Sequence, residues 1–139
     1  MGVLNVTPDS FSDGGKFFDS DLAIKQAKSM VENGAGIIDI GGESTRPGAS
    51  AVSVNDELKR VIPVIEALTK EIHVPISIDT SKPEVMEQAI SCGASIINDV
   101  NALRAPGALE MASKLKSDVC LMHMQGNPRT MQKNPIYAD

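Results

Sequence analysis

Cysteine and basic charge are both scarce in this sequence, and each shortage excludes a class of protein. Cys92 and Cys120 are the only cysteines among 139 residues, and they form neither a CxxC motif nor an even framework. We therefore expect free, reduced thiols rather than a disulfide scaffold or a metal site. The formal net charge of -5 offers no broad basic field to a nucleic-acid backbone, so any phosphate must be bound at a local site.

Long apolar runs and export signals are also missing. No stretch approaches the roughly 18 consecutive apolar residues of a membrane-spanning helix, and Met1 is followed by Gly-Val-Leu-Asn-Val rather than by a charged segment and an apolar core. With 42% hydrophobic and 22% charged residues, the composition is that of an ordinary globular domain. We predict a single cytoplasmic domain over residues 1–139, with neither membrane nor nucleic-acid partners.

Short apolar runs rich in β-branched residues alternate with segments of helical spacing. The runs predict five strands, at residues 2–6, 36–40, 74–79, 95–99 and 118–123. Four helices are predicted between them, around 23–31, over 58–68, from a capping Ser81 to Gly93, and over 106–115 with Leu109, Ala112 and Leu115 facing inward. Strands that alternate with helices predict right-handed crossovers and a parallel sheet.

The positions of polar residues distinguish two folds that fit this pattern. A doubly wound sheet gathers its ligand groups at one switch point, whereas an eight-stranded βα barrel uses the C-terminal ends of many strands. Polar side chains end all five predicted strands: Asn5, Asp39, Asp79, Asn98 with Asp99, and His123 with Gln125. This distribution favours an α/β fold of the (β/α)8 TIM barrel type. Because no helix follows the fifth strand, we expect an N-terminal part with about the first five strands and four helices.

Several sequence motifs together resemble one enzyme family. They are LNVTPDSFSDGG at 4–15, GGESTRPGA at 41–49, ISIDTSKPEV at 76–85, and IINDV at 96–100 followed by CLMHMQGNP at 120–128. This set is similar to dihydropteroate synthase, the pterin-binding barrel enzyme of folate synthesis. The resemblance runs over nearly the whole chain and implies about the first half of the family's barrel.

The resemblance implies a transferase reaction. The family condenses p-aminobenzoate with (7,8-dihydropterin-6-yl)methyl diphosphate to give 7,8-dihydropteroate and diphosphate, usually with Mg²⁺, and it is the target of sulfonamides. The intact enzyme would be a homodimer by the same resemblance. An isolated half-barrel would expose apolar strand faces and edges, so we expect this chain alone to be poorly stable and inactive.

The motifs imply residues for the pterin. By resemblance, Asp79 is a catalytic residue and a pterin ligand, Asn98 contacts the pterin edge, and Met124 lines its pocket. Read from the residues alone, Asp79 could instead cap a turn, Asn98 could close an Asx turn and Met124 could be a core residue. Asp99 is interpreted as structural.

The two loop motifs imply residues for the other ligands. By resemblance, Asn5 binds Mg²⁺ through its amide oxygen, and Arg46 is a catalytic residue that binds the diphosphate. Thr45, Pro47 and Phe11 would surround p-aminobenzoate. Two alternatives stay open: a pterin-dependent methyltransferase of the same barrel family, which would need no diphosphate site, and a noncatalytic pterin-binding fragment.

Overall fold

The computed structural model describes residues 1–7, 20–44, 51–126, 130–131 and 134–137. Within these residues, strands and helices alternate as β1 (Gly2–Asn5), α1 (Ser20–Glu32), β2 (Ile38–Gly41), α2 (Val54–Glu71), β3 (Ile76–Asp79), α3 (Pro83–Ser91), β4 (Ile96–Asp99), α4 (Ala108–Leu115) and β5 (Asp118–Leu121). Four of the five strands lie inside the predicted runs, β2 extends one residue past its run to Gly41, and each predicted helix is present.

The strands form one parallel sheet in chain order, β1-β2-β3-β4-β5. A flavodoxin-like doubly wound sheet would have the order 2-1-3-4-5. Sequential parallel neighbours are the arrangement of a βα barrel, in which each strand is followed by a helix and then by the next strand. The predicted α/β barrel type of fold is therefore confirmed for the part of the chain that the structure describes.

The two faces of the sheet differ in chemistry, because successive side chains of a strand point to opposite faces. One face belongs to the apolar core shared with the helices, and its members have no solvent exposure: Leu4, Ile38, Ile40, Ile78 and Ile97. The strand register aligns a polar set on the opposite face: Asn5, Asp39, Ser77, Asp79 and Asn98. The candidate functional groups therefore point away from the helices.

The predicted inward face of α4 is wrong at one position. Leu109 is 62% exposed and Ala108 is buried in its place, whereas Ala112 is buried as predicted. α4 begins directly after Gly107, whose φ of 79° redirects the chain. The i, i+4 pair of alanines thereby faces the core, since residues four apart lie on one face of a helix.

The predicted start of α3 is also wrong, whereas its end is confirmed. Lys82 occupies the N-cap position without a side-chain cap, and the Ser81 hydroxyl donates a hydrogen bond to Asp99 instead. Gly93 follows the helix with a φ of 114°, the left-handed conformation expected of a glycine at this position. Among the described helices, none combines the length and apolar character needed to cross a membrane.

Candidate active site

The C-terminal edge of the sheet presents a row of polar side chains. Asn5, Gly41, Asp79 and Asn98 are register neighbours across β1 to β4. Gly41 has no side chain, and a methyl group there would lie 3.4 Å from Asp79 Oδ2. The row therefore has an opening beside the Asp79 carboxylate, between the amide of Asn5 and the groups on β3 and β4.

Asp39 joins this row from within β2. Asn98 Nδ2 donates a hydrogen bond to Asp39 Oδ2 at 3.1 Å. Asp39 is 3% exposed, and its Oδ1 atom has no hydrogen-bond partner among the described residues. A buried carboxylate oxygen without a donor is costly, and it is poised to accept a hydrogen bond from a ligand. We call Asp39, Asp79 and Asn98 the strand-end cluster.

The carboxyl group of Asp79 has a strongly altered proton affinity. Burial, followed by the negative charges of Asp39, Glu57, Asp99 and Glu43, raises the pKa of Asp79 from 3.8 to about 7. A carboxyl group that titrates near neutral pH is a feature of functional sites, because small changes in its surroundings alter its charge. A ligand with N–H donors would favour the ionised form.

A second group of charges lies beside the first, and we call it the Lys82 cluster. Lys82 Nζ donates to Glu57 Oε2 at 2.6 Å and also to Glu43 Oε2. Glu57 on α2 is fully buried, and Glu43 lies just after β2. Desolvation lowers the pKa of Lys82, but the hydrogen bonds and negative charges of the two glutamates outweigh it and raise that pKa above its ordinary value. Lys82 is therefore charged.

Asp99 has a structural environment, as predicted. Its buried carboxylate accepts hydrogen bonds from the Ser81 hydroxyl at 2.5 Å and from the backbone N–H groups of Asn101 and Leu103, both at 2.8 Å. These contacts join the loop after β3 to the loop after β4. The left-handed φ of 57° at Leu103 is thereby held by a direct hydrogen bond.

The structure brings only some of the predicted site residues together. Asp79, Asn98 and Asn5 share the sheet edge, and Met124, after β5, is 9% exposed. Phe11, Thr45, Arg46 and Pro47 lie outside the described residues. No group of three His, Cys, Asp or Glu side chains that could hold a metal is found in the described ranges.

Three residues with clear roles in this geometry were not assigned a role in the site from the sequence, although one of them, Asp39, was noted as a polar strand end. They are Asp39, Glu57 and Lys82. Asp39 lies next to last in the GIIDI run, two residues before Gly41, and Lys82 lies within the ISIDTSKPEV motif, so position offered some signal for both. The position of Glu57 offered no such signal, because an acidic residue in the first turn of a helix is ordinarily explained by the helix dipole.

Comparison with known proteins shows which family the chain belongs to. Residues 1–139 match the family model described as pterin binding enzyme. The chain is 60% identical over 139 residues to the dihydropteroate synthase of Escherichia coli, an alignment that covers 100% of this chain and 49% of that protein.

Two solved structures are similar over most of the chain. One is Yersinia pestis dihydropteroate synthase in a complex with a sulfonamide drug, with a TM-score of 0.89, 55% identity, and coverage of 99% of this chain and 50% of that one. Another is Xanthomonas albilineans dihydropteroate synthase with 4-aminobenzoic acid, with a TM-score of 0.84, 56% identity, and coverage of 89% and 46%. The chain thus spans about half the length of the relatives it matches.

Proposed function

This chain belongs to the family of pterin-binding enzymes, and we propose that the whole protein is a dihydropteroate synthase. It would condense p-aminobenzoate with (7,8-dihydropterin-6-yl)methyl diphosphate and release 7,8-dihydropteroate and diphosphate. The observation that carries the proposal is the strand-end cluster. It places two carboxylates, the buried Asp39 and the partly buried Asp79, at one sheet edge with an amide, and neither has a cationic partner among the described residues.

The strand-end cluster suits the polar edge of a pterin. The heterocycle has ring N–H and amino donors, and Asp39 Oδ1 is a buried acceptor that receives no hydrogen bond from the part of the chain that the structure describes. Asp79 would accept a second hydrogen bond in its ionised form, and the Asn98 amide offers both a donor and an acceptor. Because ligand donors stabilise the ionised carboxylate, binding of the pterin near pH 7 would release a proton from Asp79.

The same carboxylate would assist the chemical step. The bond between the pterin methylene carbon and the diphosphate oxygen breaks, and its electron pair leaves with the diphosphate. The amine nitrogen of p-aminobenzoate forms the new bond to the methylene carbon and then loses a proton. An ionised Asp79 close to the pterin stabilises the positive charge that develops on the ring as the diphosphate departs.

The remaining ligand contacts are proposed from the family resemblance. Arg46 would bind diphosphate oxygens, Thr45 would hydrogen-bond a ligand, Phe11 and Pro47 would pack on the p-aminobenzoate ring, and Met124 would line the pterin pocket. Asn5 supplies one amide oxygen at the sheet edge, which fits Mg²⁺ because that ion takes few protein ligands when phosphate oxygens and water complete its shell. The ion would neutralise charge on the leaving diphosphate.

The cellular context is proposed from the same resemblance. The complete enzyme would be a cytoplasmic homodimer that takes small-molecule substrates and binds neither nucleic acid nor membrane. Light scattering of the complete enzyme at micromolar concentration should give the mass of two chains. A single-chain mass would remove the dimer from the proposal.

Diphosphate release tests the proposed reaction directly. The assay uses a completed protein, in which this chain is joined to the half of the Escherichia coli relative that it does not span. It supplies dihydropterin methyl diphosphate and Mg²⁺, with and without p-aminobenzoate. Release that requires p-aminobenzoate supports the synthase. A folded protein that binds 6-hydroxymethyl-7,8-dihydropterin but releases no diphosphate would contradict it and favour a methyltransferase or a binding protein.

A further inference from the structure

We propose that Asp39 is a specificity-determining residue for the pterin, because it orients the Asn98 amide and forms, with Ser77, an inner subsite for the 2-amino group of the ring. This inner subsite would favour a 2-amino pteridine over its 2-oxo analogue. The inference rests on the part of the proposed function that places a pterin at the strand-end cluster, and it assigns one group of that ligand to one place.

The inner subsite lies one step deeper than the C-terminal edge of the sheet. Asp39 precedes Gly41 by two residues on β2, so its side chain lies about 6.6 Å below the edge on the same face. Ser77 lies at the same depth on β3, because it is the register partner of Asp39. Gly41 has no side chain to cover Asp39 from the edge. Asp39 is 3% exposed, so this route suits a single small group rather than a whole ring.

Two polar atoms of the inner subsite are buried without a partner. Asp39 Oδ1 and Ser77 Oγ make no hydrogen bond to any residue that the structure describes, although Ser77 is fully buried and Asp39 nearly so. Buried polar atoms without a partner cost free energy, and nearly all are satisfied by protein or by an ordered molecule. The carboxylate oxygen can only accept, whereas the hydroxyl can donate or accept. A group that serves both atoms must therefore offer a donor to Asp39.

Asp39 also decides which way the Asn98 amide faces. Its Oδ2 atom accepts a hydrogen bond from Asn98 Nδ2 at 3.1 Å. Because a carboxylate accepts hydrogen bonds only, the amide nitrogen must face it, and the amide oxygen then faces away from Asp39. The contact joins β2 to β4 across β3, as expected where alternate strands share a layer inside a barrel. Asp39 therefore leaves the oxygen of Asn98 as a further acceptor for a ligand.

These acceptors select a ligand group that carries donors. A 2-amino group can donate to Asp39 Oδ1, whereas a 2-oxo group has only lone pairs and would face the carboxylate with like partial charge. A site built to bind an N–H group rejects an analogue that lacks it, because the buried acceptor then stays unpaired. From the cost of such an acceptor, we expect roughly a hundredfold preference for the 2-amino ring.

The experiment measures two dissociation constants in the completed protein, one for 6-hydroxymethyl-7,8-dihydropterin and one for its 2-oxo analogue. Asp39→Asn replaces the acceptor-only carboxylate with an amide that can donate to a 2-oxo group. We expect the ratio of the two constants to fall from roughly a hundredfold to about tenfold or less. Asp118→Asn makes the same chemical change at an exposed position and should leave the ratio unchanged.

The ratio is the readout because Asp39→Asn has a second effect. After burial, the negative charge of Asp39 is the largest cause that raises the pKa of Asp79 to about 7, and the variant removes this charge. The lower pKa of Asp79 would change the affinity for both ligands alike. A general structural defect would also act on both, so only a change at the 2-position of the ring alters the ratio.

Each result decides the inference. If the unsubstituted protein releases diphosphate but binds both rings equally, or if Asp39→Asn keeps the full ratio, the inference is overturned and the proposed function stands. If Asp39→Asn lowers the ratio but the unsubstituted protein releases no diphosphate, the proposed reaction is overturned and the inference stands. If neither ring binds and no diphosphate is released, both are overturned. If Asp39→Asn does not fold, Asp39→Ser decides: a reduced ratio supports the inference and an unchanged ratio overturns it.

Discussion

Two groups of buried or partly buried carboxylates lie side by side at the C-terminal end of this sheet, and they differ in how their charge is balanced. In the Lys82 cluster, an ammonium group contacts both glutamates. In the strand-end cluster, Asp39 and Asp79 have no cationic partner among the described residues, and Asp39 receives one hydrogen bond from a neutral amide.

The difference separates a structural charge group from a binding group. A buried charge is tolerated when it is paired, and an unpaired one is retained where it has another use. Asp99 supports this distinction, because three neutral donors satisfy its carboxylate in a loop-closing role. The strand-end cluster is different, because a ligand with several hydrogen-bond donors would satisfy its carboxylate oxygens.

Removing the charge of Asp79 should have the largest effect in this comparison. In the completed protein, we expect Asp79→Asn to lower kcat/KM for the pterin diphosphate about a hundredfold or more, because a preorganised charge at the reacting centre is lost. Steady-state diphosphate release measures this. Asp118→Asn is the control, since Asp118 is exposed at the opposite end of β5. Unchanged kinetics would remove Asp79 from the site.

Removing the cation of the Lys82 cluster should have the next largest effect, this time on stability. Lys82→Met leaves Glu57 buried and unpaired. We expect a loss of roughly 2 to 3 kcal/mol, below the roughly 3 to 5 kcal/mol of a fully buried pair because Lys82 is 24% exposed. Urea unfolding of the completed protein measures it. Lys114→Met, which breaks an exposed ion pair with Glu87, should change stability by no more than about 0.5 kcal/mol. Equal losses in both variants would contradict the distinction.

The proton affinity of Asp79 predicts a pH dependence of stability. Because its pKa is raised from 3.8 to about 7, the folded protein binds this proton more tightly than the unfolded chain does. Its contribution is fully present below about pH 4 and is lost as the pH rises through about 7. At roughly 1.4 kcal/mol per pKa unit, the loss is at most about 4 kcal/mol, and we expect about 2.

Asp79→Asn provides the test of this pH dependence. The amide cannot ionise, so the free energy of unfolding of the variant should fall less between about pH 5 and about pH 8 than that of the unsubstituted protein. Urea titrations of both proteins across that range give the two slopes. Parallel curves would show that Asp79 is not the group responsible.

The contact between Asn98 and Asp39 should have the smallest effect. Asn98→Ala removes the only hydrogen bond that Asp39 receives among the described side chains, and we expect a cost of about 1 to 2 kcal/mol. In an Asp39→Asn background the same substitution should cost less, because the buried charge is gone. Thermal unfolding of the four proteins gives this coupling energy, and equal costs in both backgrounds would argue against the contact.

Local patterns predicted the architecture well. Strands and helices were predicted from apolar runs and helical spacing, which are properties of residues close together in the chain. The polar residues at the strand ends indicated the barrel type of fold. The failures are also local: Leu109 is more apolar than Ala108, and only the turn at Gly107 decides that the smaller residue faces the core. Ser81 was expected at a helix cap, but Asp99 competes for its hydroxyl.

The charge pairing at the site was beyond sequence reasoning. Lys82 lies 39 residues from Glu43 and 25 from Glu57, and Asn98 lies 59 from Asp39. No periodicity in the sequence connects positions so far apart. Only the pairing of consecutive strands in the sheet brings these residues together. The resemblance of the motifs identified Asp79 and Asn98, whereas the contact of Asn98 with Asp39 and the pairing of Lys82 with Glu43 and Glu57 became visible only in three dimensions.

The double contact of Glu43 also has a consequence for how this protein can change over evolutionary time. Glu43 contacts both Lys82 and the backbone N–H of Val52, so one carboxylate connects positions nine residues apart in the chain. Lengthening a tied loop is inexpensive, since each doubling of its length costs only about 0.6 kcal/mol. Insertions between Glu43 and Val52 should therefore cost little stability and leave the strand-end cluster on β2, β3 and β4 unchanged.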